Sequence, residues 1–283
     1  MSKQKAAMSY SVALFWLGFA APASAGLITD FQTWKQVEDP PHVNMTGGVV
    51  SSTEVSLTAI GPVPAGTDIG YQSINGNTVA GSSSGNYFLA SQDFHIAVDF
   101  AVDAGNSTGF AAIGFGIGED GDGNNSAGPL LAFFDGTPLG FFGGARTNNV
   151  DITPLPVPFG PSATTSGRFF LDYQSLSGNI TIGVNTIPGS NLPTDTITFG
   201  ALQTNWNNDS LLVSFFLRSD ELIFPPLINY PILTSGEVDV AFSNFEVLTG
   251  TPISAVPLPA AVWLFGGALG GLLTFRGRSK TTG

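Results

Sequence analysis

The stretch Glu119-Asp120-Gly121-Asp122-Gly123-Asn124-Asn125 is the most acidic, glycine-rich turn in the chain. Calcium takes hard oxygens from carboxylates, amides and backbone, and glycine lets a short loop wrap around the ion. Asp120, Asp122 and Asn124 fall at the first three alternating ligand positions of the twelve-residue helix-flanked calcium loop. Its sixth position requires Gly and here is Asn125; its twelfth requires a bidentate Glu and here is Leu131. Two readings remain, a different kind of calcium loop and a solvated turn between strands, and the departures favour the turn.

Other chemistry is sparsely supplied. The only histidines are His42 and His95, too few and too isolated for a histidine zinc site. A Ser-His-Asp site would have to use one of them, but His95 lies on the strand face opposite the apolar residues, near Asp93 and Asp99. No G-x-S-x-G is present. Trp206 stands in the polar run Thr204-Asn205-Trp206-Asn207-Asn208-Asp209, where an indole can stack on a sugar ring or cap one end of a core. It is the candidate glycan contact.

Composition narrows the class further. Only 11% of the 283 residues are charged, while Gly (36), Pro (19) and Phe (23) are abundant, which favours short strands and turns over solvated helices. There is no Cys, which excludes disulfides, thiolate metal sites and cysteine nucleophiles. All 21 acidic residues lie between Asp30 and Glu246. The segment from Gly26 to Ala255 sets four basic side chains (Lys35, Arg146, Arg168, Arg218) against those 21, a net of −17. Such a charge disfavours nucleic acid, which needs basic patches, and suits a soluble exported body.

These residues must be carried by strands. Phe94–Val102 alternates with Phe94, Ile96, Val98, Phe100 and Val102 on one face. Phe110–Ile117 continues through Ile113, Phe115 and Ile117, with Gly114 and Gly116 on the opposite face, where small residues permit close approach of a loop, a ligand or another layer. Strands are also expected at Leu27–Phe31, Thr53–Thr58, Ile69–Tyr71, Leu130–Phe134, Pro138–Gly144, Thr196–Phe199 and Leu211–Leu217. Arg168–Tyr173 and Ile180–Val184 form a hairpin around Gly178-Asn179. The proline-rich stretch Asp151–Pro161 and the run around Pro225, Pro226 and Pro231 read as extended loops. In Glu237–Leu248 the inward parity changes from Val238, Val240 and Phe242 to Phe245 and Val247, which places a β-bulge near Ser243-Asn244. Ten to twelve strands without helical periodicity make the body, 26–250, an all-β, two-sheet antiparallel sandwich. Its pattern is similar to the concanavalin-type jelly roll, in which a strand near the start lies beside the last one; Phe31 and Val238–Val247 carry that likeness. A plain Greek-key sandwich is the alternative. The glucanases of that class carry Glu-x-Asp-x-x-Glu on a strand, a run absent here, which disfavours hydrolase chemistry of that kind.

Both ends read as address labels. Lys3 and Lys5, the apolar run Val12–Ala20 and Ala23-Ser24-Ala25 form a signal peptide over 1–25, with signal-peptidase cleavage between Ala25 and Gly26. After a linker at 251–255, residues 256–280 carry Val256-Pro257-Leu258-Pro259-Ala260, an uncharged run to Phe275, and Arg276, Arg278 and Lys280. Val256–Phe275 is long enough to cross a bilayer as a helix, with the basic end held in the cytoplasm. This tail resembles the VPLPA variant of the PEP-CTERM sorting signal. The resemblance implies export across the inner membrane of a Gram-negative bacterium, processing by an exosortase, at least transient membrane anchoring, and association with extracellular polysaccharide and biofilm. The function expected is therefore a non-catalytic cell-surface or matrix protein with a glycan-binding face. The alternatives are a secreted carbohydrate-active hydrolase and a purely structural matrix protein. No cofactor is expected beyond calcium at the acidic loop.

Overall fold

Period-two alternation puts one row of each strand inward, and two layers of such strands close on each other in the computed structural model. It describes residues 31–73, 88–119, 124–152, 157–160, 164–206, 210–224 and 228–252. Strands are numbered along the chain. Sheet I runs, in spatial order, β1 (Lys35–Asp39), β4 (Thr67–Gln72), β15 (Ser210–Ser219), β7 (Phe110–Gly118), β8 (Ser126–Phe134), β9 (Thr137–Thr147) and β10 (Val150–Asp151). Two short strands join it, β5 (Phe88–Leu89) on β15 and β11 (Val157–Phe159) on β9. Sheet II runs β14 (Asp195–Phe199), β13 (Asn179–Asn185), β12 (Ser166–Gln174), β6 (Phe94–Asp103), β18 (Glu237–Thr249), β3 (Glu54–Ile60) and β2 (Met45–Ser51). β16 (Leu222–Phe224) and β17 (Ile228–Tyr230) form a separate hairpin. The pairings are antiparallel throughout both sheets, so the class is the expected two-sheet sandwich.

The core lies between the sheets and is largely aromatic. Phe31, Trp34, Phe115, Phe215, Phe242 and Phe245 form one continuous cluster. Trp34 stacks on Phe215 at 5.3 Å and 22°, and Phe215 stacks on Phe242 at 4.9 Å. Each such ring contributes about 1.5–3 kcal/mol by leaving water, so a body without disulfides is held by its own interior.

The alternations expected for β6, β7, β15 and the β12–β13 hairpin are present, with their inward residues buried. The bulge in β18 is present as well: its register with β6 shifts between Ser243 and Glu246, and Asn244 takes φ 50°. That extra residue lets Phe242 and Phe245 both face the core. The strand beside the last one is β3, and Phe31 reaches β18 from a 3-10 turn, Phe31–Thr33, instead of the expected strand Leu27–Phe31. The rest of that expected strand lies outside the described residues. The expected loop Asp151–Pro161 contains β10 and β11; Pro158 is tolerated because β11 is an edge strand. The second proline-rich loop includes the β16–β17 hairpin. Short edge strands of this kind raise the total above ten to twelve. The signal segment and the VPLPA tail lie outside the described residues. Among the described residues, no helix is long and apolar enough to cross a membrane.

Candidate functional site

The outward residues of sheet I line up in rows across the strands, and the rows differ in chemistry. One row is Val37, Gly70, Phe216, Gly114, Leu130 and Phe142. It forms an apolar ridge. The Phe216 ring lies directly over Gly114, where any Cβ would collide with it. Gly114 is thus a place of close approach, taken by a side chain of the neighbouring strand. Phe216 and Leu130 are only partly buried, on the solvent side of the sheet.

The next row contains Gln72, Ser214, Gly116, Gly128 and Gly144. Gly116 and Gly128 fall side by side between the pairs Gly114–Leu130 and Ile117–Ala127. A Cβ on Gly128 would collide with the Phe115 carbonyl oxygen, so this position requires glycine. At Gly144 no described heavy atom lies within 4 Å of the Cβ position. Three glycines on three adjacent strands make a gutter at the foot of the ridge. Its far bank carries Ser126 and Arg146, and Arg146 is held by Asp151 at 2.7 Å. The far row begins with buried Leu212 on β15 and Gly118 on β7, so that wall is polar only across β8 and β9.

On the other side of the ridge lies the row Asp39, Asp68, Arg218, Ala112, Ala132 and Gly140. Phe110, Ala112, Ala132 and Phe142 form a second apolar cluster here, outside the main core, against which Leu130, Phe134 and Tyr230 pack. Tyr230 meets Phe134 edge-on at 4.8 Å and brings the β16–β17 hairpin over this end of the face. At the β1 end, burial pushes the Asp68 carboxyl up to about 6; Arg218 opposes the rise, and Asp39 and Asp220 add to it. Arg218 pairs with Asp220 at 2.9 Å.

Sheet II presents a different outer face. Arg168 is buried there, 3.4 Å from Asp99 and 2.7 Å from Glu246. Asn244 donates to Asp99 at 3.0 Å, and the Gly189 N–H donates to its other oxygen at 2.9 Å. The loop after β13 thereby closes over the ion pairs, with Pro193 packed on Gly183. Two carboxylates thus converge on a buried guanidinium, Asp99 buried and Glu246 partly exposed. His95 stands across from Asp172 and 5.9 Å from the Phe170 ring. Burial lowers the pKa of His95 and raises that of Asp172. His95 is thus partly buried on the second face of its strand, as its alternation suggested.

Trp206 follows a short 3-10 turn, is 6% exposed, and belongs to the main core. Its Nε1 donates to Thr147 Oγ1 at 3.3 Å. The indole caps one end of the core and presents little ring face to a sugar. Within the acidic loop, Asp120 and Asp122 lie outside the described residues. Asn124 accepts the Asn149 N–H through its carbonyl oxygen at 2.9 Å, and Asn125 donates to Glu119 and accepts the Asn148 N–H. The described part of the loop is a clasp between the β7–β8 and β9–β10 turns. Among the described residues, no group of three or more His, Asp or Glu is placed to hold a metal ion. The gutter residues escaped the sequence reading, apart from Gly116.

No protein-family model matches the chain. No curated protein matches it either. Among solved structures, similarity extends to lectin UEA-II complexed with galactose, at 11% identity, 80% of this chain, 99% of that one and TM-score 0.44. It extends also to basic winged bean lectin with Tn-antigen, at 14% identity, 77% and 98% coverage and TM-score 0.42. A third is peanut lectin with a nine-residue peptide, at 10% identity, 76% and 100% coverage and TM-score 0.38. The sandwich assignment stands on the strand pairing described above.

Proposed function

We propose that this chain is an exported, non-catalytic cell-surface or matrix protein that binds glycan on the outer face of sheet I. The observation that carries the reading is the glycine gutter between an apolar ridge and a polar bank. A sugar ring has one apolar face and a rim of hydroxyls, and partly exposed Phe216 and Leu130 meet the first while Ser126, Ser214 and Arg146 meet the second. The tail motif Val256–Ala260 and the signal segment support export, exosortase processing and a place in an extracellular polysaccharide or biofilm matrix.

Binding to a broad glycan array by the mature protein, lost in Phe216→Ala with an unchanged melting temperature, is the expected result. Silence on the array would favour the purely structural alternative. One feature favours the hydrolase alternative: a carboxyl pushed up to about 6 at Asp68, directly across from Asp39. Release of reducing sugar by the protein, abolished in Asp68→Asn, would replace binding with hydrolysis as the function.

A further inference from the structure

Resting on the export and sorting part of that reading, we infer that the body, while its tail is uncut, is held against the bilayer by one end. The surface that touches lipid there is the β12–β13 turn, with Leu176 at its tip. Where the chain leaves the body is the first reason. β18 ends at Thr249, across from His95 near the start of β6. A Cβ on Gly250 would stand 2.6 Å from the Phe94 Cβ and 2.9 Å from the Asp93 carbonyl oxygen, so the chain leaves the sandwich in contact with the start of β6. Asp93 in turn accepts the Ser175 N–H at 2.7 Å and the Ser175 hydroxyl at 2.6 Å. Gly250, Asp93 and Ser175 therefore mark one end of three adjacent strands, β18, β6 and β12.

Length is the second reason. From Gly250 to Val256, where the uncharged run begins, six residue steps reach at most about 22 Å. The headgroup layer takes up about 5–8 Å of that. The body can stand off from the headgroups by at most about 17 Å, whereas β6, Phe94–Asp103, is about 33 Å long. The Asp103 end is therefore the one that points away.

Charge decides how the body sits. Lying flat on sheet II would press Asp103, Asp239 and Glu54 onto an anionic bilayer, which repels them. The exit end is different. Residues 90–93, 174–179 and 200–206 carry one charge between them, Asp93. The Gln203 N–H donates to the Gly178 carbonyl at 3.0 Å and the Ala201 N–H to Asn179 Oδ1 at 2.8 Å, so 200–206 is fastened to the β12–β13 turn. The acidic loop 119–125 follows β7 on sheet I, and a lean towards sheet II carries it off the lipid. Leu176 is fully exposed and is the one large apolar side chain exposed in these three segments. A lone exposed Leu is ordinary on a protein surface; this one stands two strand spacings, about 10 Å, from the point where the chain turns to the membrane. In this pose the sheet faces stand side-on to the bilayer, so the outer face of sheet I is open to ligand before the tail is cut.

The chain has no Cys, so one introduced Cys can carry an NBD label: Leu176→Cys, Ser91→Cys at the same end, or Asn106→Cys at the far end. The protein with its tail intact, made without exosortase, is inserted into vesicles of phosphatidylethanolamine and phosphatidylglycerol. The expected result is flotation with the vesicles, blue-shifted emission and quenching by doxyl lipid at 176, a smaller effect at 91 and none at 106. Leu176→Asp should abolish the quenching at 91 with an unchanged melting temperature. Inserting about twenty Gly/Ser residues after Pro252 adds about 25 Å of mean reach and should erase the difference between 176 and 106 without loss of flotation. Equal emission at 176 and 106 in protein that floats, quenching at 91 that ignores Leu176→Asp, or a difference that survives the long linker overturns this inference and leaves the anchored tail standing. Failure to float removes the anchored tail itself, and the inference with it.

Discussion

Asp68 should make the protein less stable as pH rises, and Asp68→Asn should abolish that trend. Its carboxyl faces Asp39 on one side and Arg218 on the other. Burial, opposed by Arg218 and reinforced by Asp39 and Asp220, moves its pKa from 3.8 to about 6. At 1.36 kcal/mol for each pH unit, that interval corresponds to about 3 kcal/mol, and residual solvent contact reduces the usable range to about 1–3 kcal/mol. The folded form holds the proton more tightly than the unfolded form. The contribution is therefore fully present below about pH 4, is lost as pH rises through about 6, and stays lost above it. Asn has no proton to lose. Wild type and variant should melt together near pH 4 and separate by pH 7, with the variant higher by about 2–12 °C for a domain of this size. Thermal melts from pH 4 to 8 give the comparison. The raised carboxyl of Asp172 and the lowered one of Asp93 are common to both proteins and cancel in the difference. Parallel curves, or a variant that melts lower at pH 7, would refute the reasoning.

Arg168→Met leaves Asp99 and Glu246 facing each other without their cation, so denaturant unfolding should show a loss of about 3–5 kcal/mol. Adding Asp99→Asn and Glu246→Gln should restore most of it; no restoration would mean that the loss comes from packing. Gly136 has φ 71° in the β8–β9 turn after Asp135 at 48°, and a Cβ there would stand 2.5 Å from the Ala104 carbonyl oxygen. Gly136→Ala should therefore cost at least about 1–2 kcal/mol in the same assay, while equal stability would show that the turn can take another form. Mass spectrometry of the protein from producing cells should find a new N-terminus at Gly26 and loss of the tail within or after Val256–Ala260. An intact C-terminus through Gly283 in cells with a working exosortase would remove the sorting reading.

What could be read in the chain itself is what strands announce locally. Ile96, Val98 and Phe100, or Val213, Phe215 and Leu217, declare their inward face by alternation alone. Even the β18 bulge shows, because a parity change is a local signal. The site was not readable in the same way. Gly116, Gly128 and Gly144 become neighbours only through the register of β7, β8 and β9. Asp39, Asp68 and Arg218 are brought together by pairings that span most of the chain. Trp206 left two readings open for a related reason: its sequence neighbours are polar, while its packing partners, which belong to the core, come from elsewhere in the chain. The edge strands β10 and β11 were hidden by prolines that only a central strand would refuse.

The two outer faces explain how an acidic protein can still present a site. Sheet II takes much of the charge outward: Asp103 on β6 lies directly across from Asp239 on β18, and Glu54 and Asp172 share that side. Like charges placed opposite each other cost stability, so these positions are tuned to water, while Arg168, Asp99 and Phe170 lie buried elsewhere on the same face. Sheet I carries three of the four body cations, Lys35, Arg146 and Arg218, and Arg146 and Arg218 pair with Asp151 and Asp220. Solubility is thereby assigned to sheet II, and sheet I is free to expose Phe216 and Leu130 beside a glycine floor.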